Sequence, residues 1–186
     1  MEYLNIKKDL TTVLSEDKVF PKRELLQKFE EFVHESGFQL KNWIKNSCAP
    51  YECIVLDSNN NVYDLIIYLK NITGAGWKEK KNRKRAQVSN IRVVSPTDYV
   101  PTSSNRTVLI LGYYNFDNNP IMVAWDAYRY IQHNTMRSTY ISVDNLIRGY
   151  EGGYLVTTDS SQKVWIFDAK NFEKFLVDYI SYNKLQ

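Results

Sequence analysis

Between Lys78 and Arg85 the chain places six basic residues, Lys78, Lys80, Lys81, Arg83, Lys84 and Arg85, against the single acidic residue Glu79. Gly74, Gly76 and Trp77 open the run, Asn82 lies inside it and Gln87 follows it. These residue types suit a polyanion. Glycines let a backbone come close, cations meet phosphates, and Trp, Asn, Arg and Gln can touch bases. A solvated loop is often basic too, so the run by itself does not decide. A second polar stretch, from Asp126 to Tyr140, tips the balance. Arg129 and Arg137 can fork onto guanine or phosphate, and Gln132 and Asn134 can pair bidentately with adenine. Thr135, Ser138 and Thr139 suit phosphate oxygens. Tyr128, Tyr130 and Tyr140 could stack, although for Tyr130 and Tyr140 a place in the core is the simpler expectation.

Charge supports a localised surface. The formal net charge is 24 − 21 = +3 over 186 residues. Without the six cations and Glu79 it becomes 18 − 20 = −2, so the excess of positive charge sits in one place, as a docking surface requires.

Other chemistries find weaker support. The sharpest rival is a metal-dependent nuclease of the Asp…(Asp/Glu)-x-Lys kind, with Asp159 and Asp168-Ala169-Lys170, or Asp64 with Glu79-Lys80-Lys81. Each of these acids also has an ordinary job: Asp159 in a turn, Asp168 as a helix cap, Glu79 balancing the loop. No Gly-x-Ser-x-Gly is present, and His34 and His133 have no evident carboxylate partner. Cys48 and Cys53 with two histidines make no zinc signature, and no Gly-x-x-x-x-Gly-Lys-Ser/Thr loop is present. The reading therefore includes no catalytic centre, metal or cofactor. Met1 to Asn5 begin no signal-peptide core and no apolar run approaches a membrane span, so the expectation is a cytoplasmic protein with free thiols.

The elements that must hold the two polar stretches follow from periodicity. Tyr3, Ile6, Leu10, Val13 and Leu14 share one helical face; Leu25, Phe29, Phe32 and Val33 share another, between Pro21 and Gly37. A short third helix is expected at Trp43 and Ile44. From residue 51 the period is that of strands: Cys53 to Asp57, Val62 to Lys70, Gln87 to Val94, Thr107 to Tyr114, Ile121 to Trp125, Thr139 to Ser142, Tyr154 to Thr158 and Lys163 to Phe167. Residues 95–106, with Pro96 and Pro101, read as a loop. Ser142 can cap a helix over Val143 to Arg148 that Gly149 ends. Asp168 can cap a last helix whose apolar face is Phe172, Phe175, Leu176, Tyr179 and Ile180. The expected fold is α+β: a seven- to eight-stranded, mostly antiparallel pseudobarrel over residues 51–186, with a helical N-terminal extension over 1–50 packed on it and a C-terminal helix.

The order of elements resembles the B-three pseudobarrel of plant transcription factors and of some restriction-enzyme recognition domains. Tyr68-Leu69-Lys70-Asn71-Ile72-Thr73, Leu111-Gly112-Tyr113-Tyr114, Val123-Ala124-Trp125-Asp126 and Ser138-Thr139-Tyr140-Ile141-Ser142-Val143 also look like the N-terminal recognition domains of McrBC-like (LlaJI-type) restriction subunits. The resemblance covers roughly residues 51–168. It departs from the B-three pattern at 95–106, where that family usually has a helix. It implies two arms, Gly74 to Arg85 and Asp126 to Ser138, gripping the DNA major groove. It also implies sequence-specific binding of duplex DNA as the target-recognition part of a restriction–modification system. A nuclease or NTPase would then sit on further sequence or a partner subunit. The DNA-binding residues expected are Trp77, Lys78, Lys80, Lys81, Asn82, Arg83, Lys84 and Arg85 on the first arm, and Arg129, Gln132, Asn134, Thr135, Arg137 and Ser138 on the second.

Overall fold

The computed structural model describes residues 17–47, 49–75, 82–88, 106–116, 119–130 and 137–183. Its elements run α1 Lys22–Glu35, β1 Gln39–Ile44, β2 Tyr51–Leu56, β3 Val62–Gly74, β4 Arg83–Val88, β5 Arg106–Phe116 and β6 Asn119–Trp125. A 3-10 turn, Ala127–Tyr130, leads to β7 Arg137–Ser142, α2 Val143–Gly152, β8 Tyr154–Asp159 and β9 Gln162–Phe167. A second 3-10 turn, Ala169–Asn171, precedes α3 Phe172–Asn183. The expected first helix (3–14) and connection (95–105) lie outside the described residues.

The nine strands form a mostly antiparallel α+β pseudobarrel-like fold. The path is β1-β2-β3-β5-β6-β9-β8, with β4 branching from β3 and β7 pairing with β4. Only the β3–β5 pair is parallel among the described ladders. β3 is the hinge of this arrangement. Its first part pairs with β2 and β5, whereas Ile72, Thr73 and Gly74 pair with Ala86, Arg85 and Lys84 of β4. The sheet thereby folds β4 and β7 over one of its own faces.

Both faces of the central strands are consequently buried, which is why β3, β5, β6 and β9 are apolar almost without alternation. One face packs Leu65, Ile67, Leu111, Trp165 and Phe167 against Phe29, Phe32 and Val33 of α1 and Phe172, Phe175 and Tyr179 of α3. The other packs Ile66, Tyr68, Ile110, Val123 and Trp125 under Ala86, Val88 and Ile141 of the β4–β7 flap and Leu146 of α2.

The structure corrects the sequence reading in three places. Trp43 and Ile44 end a strand, not a third helix. Leu40 and Trp43 stand three apart, as on a helix, yet both reach the core because an irregularity between Lys41 and Ile44, with Asn42 at φ 47°, takes up the extra residue. This strand is the ninth. The strands beside the basic run also extend into it: β3 continues to Gly74 and β4 begins at Arg83, because Ile72 and Ala86 face each other in the core. Finally, Gly149 lies inside α2, which runs on to Gly152. A Cβ at Gly149 would stand 2.3 Å from Ile166 Cγ2, so the glycine lets the helix approach β9. Ser142 caps that helix as expected, its hydroxyl accepting from Asn145 N at 3.3 Å.

Candidate nucleic-acid interface

The first polar loop is the tip of the β3–β4 hairpin, and its base is closed by backbone bonds. Ala75 N donates to Arg83 O at 3.2 Å, and Val143 N at the start of α2 donates to Asn82 O at 2.9 Å. The second polar loop leaves β6 at Trp125 and enters β7 at Arg137. Its first turn is held in the body: Ala127 N donates to Tyr179 Oη at 3.2 Å, and Tyr130 Oη donates to Gln162 Oε1 at 2.8 Å. Tyr130 is buried, as the sequence reading preferred, while Arg129 on the same turn is exposed.

The roots of the two loops are joined by one ladder. β4 and β7 pair antiparallel from Arg83↔Ser142 to Val88↔Arg137. The hairpin tip lies beyond the Arg83 end, and the second loop arrives at the Arg137 end. Five strand steps of about 3.4 Å separate those ends by about 17 Å, somewhat more than the roughly 12 Å width of a DNA major groove.

Alternation along this ladder sorts the side chains. Lys84, Ala86, Val88, Thr139 and Ile141 point inward and are buried. Arg83, Arg85 and Gln87 of β4 and Ser138, Tyr140 and Ser142 of β7 share the outer face, with Arg85 opposite Tyr140 and Gln87 opposite Ser138. Thr139 Oγ1 donates to Ala86 O at 3.1 Å and Trp125 Nε1 donates to Tyr140 O at 3.1 Å, so the flap is tied to itself and to the body. Composition did not single out this face. Its signal is the alternation in Arg-Lys-Arg-Ala-Gln-Val, which a run of cations hides. Tyr140, expected in the core, is half-buried on that outer face.

Of the three cations of this run among the described residues, two form ion pairs within the chain. Lys84 is 4% exposed, its Nζ 2.5 Å from Asp17 Oδ1. Its inward strand position places it in the fold, not on the surface where a phosphate contact was expected. Arg83 Nη1 donates to Asp159 Oδ1 at 3.1 Å and also to Ser160 Oγ. Arg85 remains on the outer face, and Asn82 is exposed. Trp77, Lys78, Lys80, Lys81, Gln132, Asn134 and Thr135, and the side chains of Tyr128 and Arg137, lie outside what the structure describes.

Asp159 and Asp168, the acids of the nuclease reading, each serve the fold. Asp159 Oδ2 accepts from Ser142 N at 2.8 Å and Asn145 Nδ2 at 2.9 Å, joining the β8–β9 turn to the end of β7. Burial pushes its pKa up, but the bonds from Ser142, Asn145 and Ser160 outweigh that and hold the carboxyl below its ordinary range. Asp168 caps the second 3-10 turn, accepting from Asn171 N at 3.1 Å. Among the described residues no three or more His, Cys, Asp or Glu side chains stand together in a way that could hold a metal ion. A cleft of about 290 Å³ opens elsewhere, by Phe20, Phe32, Tyr113 and Asn115 on the α1 side of the sheet. Cys53 is a free, buried thiol; burial first, then the charge of Asp64, pushes its pKa up to about 12, so it stays protonated. No helix among the described residues is long and apolar enough to cross a membrane.

Residues 63–176, more than half of the chain, match the family described as methylase-associated X1. The matched span begins in β3 and ends in α3, so it contains both polar loops and the ladder between them. No curated protein and no solved structure matches the chain. The chain belongs to the methylase-associated X1 family and is a restriction–modification-associated domain.

Proposed function

We propose that this member of the methylase-associated X1 family binds duplex DNA sequence-specifically, as the target-recognition part of its restriction–modification system. The observation that carries the reading is the β4–β7 ladder. It links the roots of two polar loops about 17 Å apart and turns Arg85, Gln87, Ser138 and Tyr140 outward between them. A rigid strand face holds base-reading groups more firmly than a loop does. In this reading Lys78, Lys80 and Lys81 supply phosphate charge, and Trp77 and Asn82 approach the bases. Arg129, Gln132, Asn134, Thr135, Arg137 and Ser138 read from the other end, with Arg85 and Gln87 on the floor. Arg83 and Lys84 hold the first arm in place. The B-three-like and McrBC-like resemblances belong to the same proposal, as do a nuclease or NTPase partner and a cytoplasmic setting where the DNA is met.

The test is a selection from random duplexes at moderate ionic strength. Enrichment of one short site is expected, asymmetric unless the whole protein dimerises. Equal retention of all sequences, or none at low salt, contradicts it. Incubation of the same protein with DNA and magnesium separates the nuclease alternative: cleavage that Asp168→Ala abolishes would place the catalytic centre on this chain.

A further inference from the structure

The last pair of the β3–β4 ladder, where the basic loop leaves the barrel, is Gly74↔Lys84. One carboxylate holds both members. Gly74 N donates to Asp17 Oδ2, and Lys84 Nζ lies 2.5 Å from Asp17 Oδ1. The pair is largely dry, with the Lys84 side chain 5% and the Asp17 side chain 15% exposed. Lys84 Nζ also stands 5.9 Å from the centre of the Tyr114 ring. Asp17 comes from far away in sequence, on the segment before α1, and that segment is itself nailed to β3. Phe20 N donates to Asn71 Oδ1 at 3.1 Å, Asn71 Nδ2 donates back to Phe20 O at 2.9 Å, and the Phe20 ring meets Tyr113 edge-on with centroids 5.5 Å apart.

Beyond this pair only the Ala75 N–Arg83 O bond continues the β3–β4 hairpin, although β7 flanks Lys84 on the other side, so the β3 edge of the hairpin end has the freedom to fray. A carboxylate bridging both strands at that pair removes the freedom, and in a dry setting such a bridge is strong only while both partners are present. The bridge also uses up a cation that sequence alone would assign to DNA. We propose that Asp17 is a positioning residue for DNA recognition: by clamping Gly74 to Lys84 it sets the direction in which loop 75–82 leaves the barrel. The segment preceding α1 thereby controls how that loop meets its target. The inference rests on the DNA-binding reading above, but the clamp has consequences that need no DNA.

The test uses the full chain with Asp17→Ala and with the double variant Asp17→Asn/Lys84→Met. The double variant keeps an oxygen for Gly74 N–H and removes both buried charges. Amide exchange comes first. In Asp17→Ala, exchange at Gly74 and Ala86 accelerates at least about tenfold while the β8–β9 hairpin is unmoved; equal protection in wild type and variant overturns the clamp. DNA binding is then measured across salt concentrations on the selected site and on a scrambled duplex. Asp17→Ala lowers the ratio of specific to non-specific affinity at least about tenfold, the order of one misplaced base contact. The double variant stays within about threefold of wild type and keeps the wild-type salt slope, because Lys84 touches no phosphate. A slope reduced by about one in the double variant would make Lys84 a phosphate contact and overturn the assignment. So would an Asp17→Ala protein with an unchanged ratio. A wild-type protein that ignores every duplex removes the DNA reading while leaving the exchange experiment to judge the clamp.

Discussion

The roots of the two polar loops are held with different shares of ionic and neutral bonds. At the first, the ties are ionic: Lys84 to Asp17, and Arg83 to Asp159. At the second, hydrogen bonds between neutral groups lie beside the buried carboxylate of Asp126. Tyr179 Oη accepts from Ala127 N and donates to Val108 O at 3.0 Å, while Tyr130 reaches Gln162 and Trp125 reaches the backbone of β7. The first root sits on a two-stranded flap and draws partners from distant segments of the chain. The second grows from β6, in the middle of the sheet, where packing already exists and a few hydroxyls complete it. Cation density is not binding-site density: of the three described cations of the run, Lys84 is buried on Asp17 and Arg83 is paired with Asp159.

Breaking the ionic root should cost most. Lys84→Ala leaves the Asp17 carboxylate buried without its cation and is expected to destabilise by about 3–5 kcal/mol in chemical denaturation. The salt slope of DNA binding, where folded protein remains, should not change. Breaking the neutral root costs less: Tyr179→Phe strands Val108 O and Ala127 N, an expected loss of about 1–3 kcal/mol. A loss as large as that of Lys84→Ala would erase the distinction between the two roots.

Acid sharpens the comparison. The Asp159 carboxyl is held below its ordinary value of 3.8, so its contribution is present above that pH. It is lost as the pH falls through the depressed folded value, because the unfolded chain takes up the proton first. Asp159→Asn should cost about 1.5–3 kcal/mol at neutral pH, and denaturation curves of wild type and variant should converge below pH 3.8. Tyr179→Phe should show no such convergence. The smallest effect is expected at Arg129, exposed on the second loop's first turn. Its replacement by Ala should move stability by less than about 0.5 kcal/mol. If it contacts phosphate, the salt slope of DNA binding should fall by about one.

Much of this was legible in the residues. Leu25, Phe29, Phe32 and Val33 share one stripe between Pro21 and Gly37, and they form the buried face of α1. The turn Asp159-Ser160-Ser161-Gln162 joins β8 to β9 with Ser160 and Ser161 both at positive φ, the geometry a tight two-residue hairpin needs. Local pattern failed where a distant partner overrode it. Trp43 reads as helical until pairing with β2 sets a register in which β1 bulges out one extra residue. Gly149 reads as a helix stop until Ile166 is seen to need the space. Lys84 reads as a phosphate ligand until strand alternation turns it inward onto Asp17.

The chain's own order of residues determined most of the elements, where the polar stretches fall between them, and that positive charge gathers in one run. Those are properties of near neighbours, governed by periodicity, turn chemistry and composition. Which cations face solvent and which residues share the face between the loops were decided only when β4 paired with β7 and Asp17 closed the hairpin. Strand alternation assigns each side chain to a face only once a partner sets the register, and a buried charge is tolerated only once its counterion arrives from elsewhere in the fold.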